Sequence, residues 1–100
     1  MHTDDLVAFG RARFDAHTKK KLLKEKYEAR MLFAHEGGMW RAGPELLTLL
    51  HCCTDETAVV PDLYQTPVRV SVPDMIMLAR QRWQEQMNAW LLEYQELDGQ

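Results

Sequence analysis

Between Ser71 and Leu97 the apolar residues Ile76, Ala79, Trp83, Met87, Trp90, Tyr94 and Leu97 recur at steps of three and four. At about 100° per residue they fall in one narrow stripe, which predicts a long amphipathic helix. Ser71 followed by Asp74 reads as a capping box, and Pro73 lies in the first turn, where a missing N–H costs nothing. A second long helix is predicted from Thr3, an N-cap hydroxyl followed by Asp4 and Asp5, to about His35. Phe9, Ala12, Ala16, Leu23, Tyr27, Met31 and Ala34 share its apolar face, although Lys19 and Lys20 interrupt it. Gly10 and Thr18 lower helix propensity, so the segment is either one helix or two pieces jointed near Thr18, and one helix is the preferred reading. Gly37 and Gly38 read as its left-handed stop, with Met39, Trp40 and Arg41 as a linker.

Gly43 and Pro44 open a short helix to about Cys52, with Glu45 in its first turn and Leu46, Leu47, Leu49 and Leu50 as its apolar content. After the polar turn Thr54, Asp55, Glu56, the run Ala58–Val60 and the alternation of Val68, Val70 and Val72 with Arg69 and Ser71 predict a β-hairpin. Its connection, Asp62 to Thr66, is bounded by Pro61 and Pro67, which cannot donate to a ladder and confine both strands to sheet edges. Two strands alone are marginal in water, so the valine face must rest on a helix, the C-terminal one. The expected fold class is α+β, mainly helical: long N-terminal helix, short helix, β-hairpin, long C-terminal helix. One domain is expected, with residues 1–36 as a basic helical arm and 39–100 as a compact helix-hairpin-helix core; a chain of 100 residues supports one modest core.

Charge changes this picture more than composition does. A 46% apolar and 27% charged chain is ordinary for a globular protein. The longest apolar runs are about five residues, against the roughly 20 that cross a bilayer, so no membrane association is expected. The acidic start MHTDDLVAF lacks the features of an export signal, so an intracellular location is expected. The net charge of −3 hides an asymmetry: residues 11–30 hold eight bases against three acids, while residues 31–100 hold four bases against ten acids. Such a dipole suits an anionic partner or contact between copies.

No residue set carries recognisable chemistry. Cys52 and Cys53 are vicinal and read as reduced thiols, two small buried side chains at a helix end, because an ordinary trans peptide does not allow neighbours to bridge. His2, His17, His35 and His51 lie too far from them and from one another for a paired zinc site. His51 adjoins Cys52, but helix neighbours point about 100° apart and do not make a base–nucleophile pair. With no catalytic or phosphate-binding motif in the sequence, no enzyme, metal or cofactor is expected. Two surfaces remain. Lys19, Lys20, Lys21 and Lys24 could meet an anionic partner, with Tyr27 available to stack, or form an ordinary solvated face paired with Glu25 and Glu28. Trp90, Tyr94 and Leu97, with Trp40 of the linker, are the candidate anchors for a protein partner, whereas Trp83 reads as core. The acids Glu85, Glu93, Glu96 and Asp98 should approach the basic helix, within one chain or across a dimer.

The succession Met39-Trp40-Arg41-Ala42, Pro44-Glu45-Leu46-Leu47, Asp62-Leu63-Tyr64, Pro67-Val68-Arg69-Val70 and Arg82-Trp83-Gln84-Glu85-Gln86-Met87-Asn88-Ala89-Trp90 resembles small proteins of T4-like phages that infect cyanobacteria. It covers about residues 39–97, with Gln65 where a turn glycine or asparagine is usual, and leaves the basic helix outside. The resemblance implies a compact phage-encoded protein in the host cytoplasm or the virion, and it assigns no functional residue. The expected function is a non-enzymatic protein–protein interaction module, a virion or assembly component that binds a protein or its own copies. The alternative is a regulator that binds nucleic acid or a host protein through the basic helix.

Overall fold

The structure, a computed structural model, describes the backbone of residues 3–98 and the side chains of residues 14–98. In chain order it contains α1 (Thr3–Arg30), β1 (Leu32–His35), β2 (Gly38–Arg41), α2 (Pro44–His51), β3 (Thr57–Pro61), β4 (Pro67–Ser71) and α3 (Val72–Asp98). The α+β class and the order of long helix, short helix, hairpin and long helix are those read from the sequence. The N-cap role of Thr3, the places of Phe9 and Ala12 on the apolar face, and His2 lie outside the described residues.

The first helix is continuous through Thr18 but ends at Arg30, not His35, and the supposed linker is a strand. Leu32 to Arg41 form an antiparallel hairpin in which Phe33 pairs with Trp40 and His35 with Gly38. Its two-residue turn has Glu36 at φ 50° and Gly37 at φ 81°. Two successive left-handed residues give the turn whose twist matches that of paired strands, so Gly37 closes a hairpin instead of capping a helix. Gly38 serves a different need. Trp40 lies on the same face of β2, and a Cβ on Gly38 would sit 2.8 Å from its ring. The indole lies against that bare backbone and donates Nε1–H to the His35 carbonyl at 2.9 Å.

In the second hairpin Thr57 pairs with Ser71, Ala58 with Val70 and Val60 with Val68, and Pro61 faces Pro67 on the last rung before the loop. The prolines thus end the ladder where an absent N–H removes least. Asp62 then organises the loop. Its Oδ1 accepts the N–H groups of Tyr64 (2.9 Å) and Thr66 (3.0 Å), and Oδ2 accepts that of Met39 (3.2 Å) on β2. Leu63 N–H also donates to the Met39 carbonyl at 2.9 Å, so the loop of the second hairpin is tied to β2 of the first.

Both hairpins face one core. Met31, Phe33, Trp40, Ala42, Leu50, Val60, Val70, Val72, Met75 and Ala79 form a single buried cluster to which every element except α1 contributes, Met31 following directly on the end of α1. The valine face of the second hairpin rests on the start of α3, as its isolation in the sequence requires. Each fully buried aliphatic of this kind contributes on the order of 1.5–3 kcal/mol. Within the segment 1–36, Leu23, Tyr27, Met31 and Phe33 are buried, whereas Phe14 to His17 are exposed. Cys52 is exposed and Cys53 half-buried, and both are free thiols, so the reading of two buried side chains fails. Cys53 follows a single eight-residue helix whose buried residue is Leu50, and the turn carries its neighbour Cys52 outward.

α1 and α3 run antiparallel. Lys20 lies opposite Asp98, and Lys26 and Tyr27 lie opposite Glu93 and Trp90. With α3 ending beside Lys20, the residues before it carry α1 about 25 Å further at 1.5 Å per residue. That offset accounts for an overall extent of 66 × 24 × 21 Å.

Candidate partner-binding groove

Where α1 leaves the core it forms one wall of a groove of about 900 Å³. α2 supplies the opposite wall with Pro44, Leu46 and Leu49, and the floor is made by Met31, Trp40, Ala42, Trp83 and Trp90. Pro61, Leu63 and Gln65 of the second hairpin close one end. Lys24, Glu28, Arg41 and Glu45 stand around this surface with both signs of charge, so the groove has an apolar floor and a mixed polar rim. Leu49 and Leu63 are exposed on its edges. This is the anatomy of a protein-binding patch, in which central aromatic groups anchor and rim charges set register.

The residues singled out for partner contact are distributed differently. Trp90 is half-buried: its ring stacks on Tyr27 at 6.3 Å between centroids and 8° between planes, and it also borders the groove. Tyr94 is 37% exposed under the Lys20 ammonium, which lies 5.0 Å from its ring centre. Leu97 is half-buried near the end of α3. Trp40 does not belong with them. It is only 2% exposed, because β2 turns its indole inward over Gly38, and it serves as core beneath the groove. Trp83, expected in the core, packs against it while presenting an edge to the groove.

The four lysines do not converge. On a helix, Lys19, Lys20, Lys21 and Lys24 spread over about 200° of circumference. Lys20 Nζ pairs with Asp98 at 2.8 Å, and Lys24 lies 3.8 Å from Glu28. Lys19 and Lys21 are exposed. Of the four acids expected near the basic helix, Glu93 and Asp98 pair with it within the same chain, whereas Glu85 accepts from Gln81 of its own helix. Glu93 accepts from Lys26 at 2.7 Å and from the Tyr27 hydroxyl, and Asp98 meets Lys20. Lys26 and Tyr27 hold the Glu93 carboxyl below the usual range, Asp98 and Tyr94 hold the Lys20 ammonium above its ordinary value, and the bond to Glu93 pushes the Tyr27 phenol up. Lys26 and Arg30 also approach the Tyr27 ring, at 5.3 and 5.4 Å. Sequence reasoning put Tyr27 on the right face but did not single out this latch; the signal available was a tyrosine within a basic run facing a stripe flanked by glutamates.

Among the described residues no three of His, Cys, Asp and Glu cluster as metal ligands, and no helix is long and apolar enough to cross a membrane. His51 accepts at Nε2 from Arg80, 3.1 Å away and on the side of α2 away from the groove. No protein family, curated protein or solved structure is found to match this chain.

Proposed function

We propose that this protein is a non-enzymatic protein–protein interaction module that seats apolar side chains of its partner in the groove between α1 and α2. The observation that carries this reading is the pair Trp83 and Trp90 held along one apolar floor, flanked by exposed Leu49 and Leu63. Large aromatic groups fixed by a scaffold supply contact area at low entropic cost, which is why they dominate interface energetics. The resemblance to phage proteins adds the setting: a virion or assembly component acting in the host cytoplasm or in the particle. The rival regulator, reading nucleic acid through the basic helix, is less well supported. Lys20 and Lys26 are committed to acids of α3, and phosphate binding needs cations free to displace counterions.

The test is affinity capture from host and infected-cell lysates with wild type, Leu49→Lys, and a Lys19→Glu/Lys21→Glu variant, followed by mass spectrometry. Leu49 is an exposed groove residue, so its replacement leaves the core intact. A defined protein retained by wild type and by the lysine variant, and lost with Leu49→Lys, supports the groove. Recovery of nucleic acid that disappears with the lysine changes and in raised salt, indifferent to Leu49, overturns it in favour of the regulator.

A further inference from the structure

The two outer edges of the first hairpin are filled differently. Ala42 N–H donates to the Met31 carbonyl, and in an antiparallel ladder such bonded pairs alternate with unbonded ones. Counting from that rung, Phe33 with Trp40 and His35 with Gly38 exchange bonds, whereas Ala34 and Met39, opposite each other, turn their main-chain groups outward. On the β2 edge those of Met39 are taken, its N–H by the Asp62 carboxylate and its carbonyl by the N–H of Leu63. On the β1 edge, among the described residues, nothing bonds to the N–H or the carbonyl of Ala34. That edge borders a cleft of about 320 Å³. Phe33, Ala34 and His35 form one side of it, and Leu78, Gln81, Arg82 and Glu85, which share a face of α3, form the other. An unpaired strand edge facing a helix across a cleft is a place where an extended chain adds as a further strand.

We infer that the cleft between β1 and α3 takes an acidic, extended segment of a partner protein, added as a strand on the β1 edge. The molecule's own β2 edge supplies the pattern. Directly across the ladder from Ala34, Asp62 and Leu63 offer Met39 a carboxylate for its N–H and a main-chain N–H for its carbonyl, and the partner segment does the same for Ala34. A helix cannot replace it, because its main-chain groups are already bonded within it. Arg82 selects the charge. Glu85 accepts from Gln81 at 3.0 Å, and Glu36, next to His35, accepts the Ser71 N–H at 3.3 Å. Among the described residues Arg82 is in no ion pair, and an unpaired guanidinium beside a strand edge is met best by a carboxylate. His35 Nε2 adds a further polar atom to this side: it is buried, lies 3.2 Å from Glu36 Oε1 without the alignment of a hydrogen bond, and has no other partner.

This inference goes beyond the α1–α2 groove and shares no lining residue with it, so the two can fail separately. The probe is a set of peptides selected from a displayed random library against the full chain carrying Leu49→Lys, which blocks the groove. The selected peptides should share one acidic position. Their binding to wild type, read by fluorescence anisotropy, should weaken about tenfold with Arg82→Glu and with Ala34→Pro. Proline at Ala34 removes only an outward N–H and leaves the ladder bonds in place, so circular dichroism of that variant should match wild type. Changes made on the peptide itself keep the test independent of folding: N-methylation should abolish binding at alternate residues only, as strand addition requires. Hydrogen exchange of the Ala34 amide should slow when peptide binds, while Phe33 and His35, already bonded to β2, stay unchanged. A selection that yields no binder, peptides without a common acid, binding that survives Arg82→Glu, or tolerance of N-methylation at every position overturns the proposal. Partner capture that depends on Leu49 would survive each of these results.

Discussion

The two hairpins solve one problem, placing a short two-stranded sheet on a small core, by opposite means. The first is held by an apolar anchor: Trp40 is buried against Gly38, and the turn that makes this possible is two left-handed residues. The second is held by a polar one. Asp62, almost completely buried, gathers three main-chain N–H groups, and the strands end on paired prolines. A packed aromatic resists any change of volume, whereas a carboxylate hub resists loss of charge. The first hairpin should therefore be sensitive to size and the second to acid.

The largest effect expected is from Trp40→Ala, which opens a cavity at the centre of the cluster and should cost about 3–5 kcal/mol in urea unfolding. A loss under 1 kcal/mol would show that the indole is not the anchor of its hairpin. Gly38→Ala should follow at about 1–3 kcal/mol, since the new methyl must displace a ring that has no free space. Combining it with Trp40→Phe should give less than the sum of the two single losses, because both act on one contact.

The acid test concerns Asp62. The Thr66 N–H, then those of Met39 and Tyr64, hold its carboxyl below the ordinary value against the opposing effect of burial. A depressed folded value means that its contribution is complete above the unfolded pKa near 4 and is lost as pH falls through the folded value. Glu93 acts in the same direction, by its bonds to Lys26 and Tyr27. Thermal melts from pH 7 to pH 2 should show a stability loss below about pH 4 that is smaller in Asp62→Asn and unchanged in Gly38→Ala. Equal acid sensitivity in Asp62→Asn and wild type would remove the carboxylate from the account. The smallest effects are expected on the outward faces: Ala34→Thr on β1 and Val59→Thr on β3, both exposed, should each stay within about 0.5 kcal/mol.

The same contrast explains what the sequence made legible. The second hairpin announces itself through alternating valines and bracketing prolines, and α3 through an apolar stripe seven residues long with a proline in its first turn. The first hairpin was hidden because Met31 and Ala34 also continue the stripe of α1, and because a glycine pair serves equally as a helix stop. The available signal was the symmetry of Leu32–His35 and Gly38–Arg41 about a two-residue turn, with Glu36 in place of the usual asparagine. Missing it misplaced Trp40: a tryptophan in a linker invites a partner, whereas the same residue directly across the ladder from Phe33 is core. Trp90 and Tyr94 were read as anchors for a partner, and the contacts they make instead are to Tyr27 and Lys20 of α1, the one element long enough to reach them. The groove was not legible, because Ala29, Leu49, Leu63 and Trp83 are far apart in sequence and no local spacing links them.

The offset of α1 against α3 also governs how the molecule tumbles. A body 66 Å long and 24 Å wide rotates faster about its long axis than end over end. Amide N–H bonds in α1 and α3 lie along that axis, because helical hydrogen bonds parallel the helix. Those of the hairpin strands point across their own ladders. Nitrogen-15 relaxation would therefore report two sets of apparent correlation times from one rigid monomer, the longer from the helices.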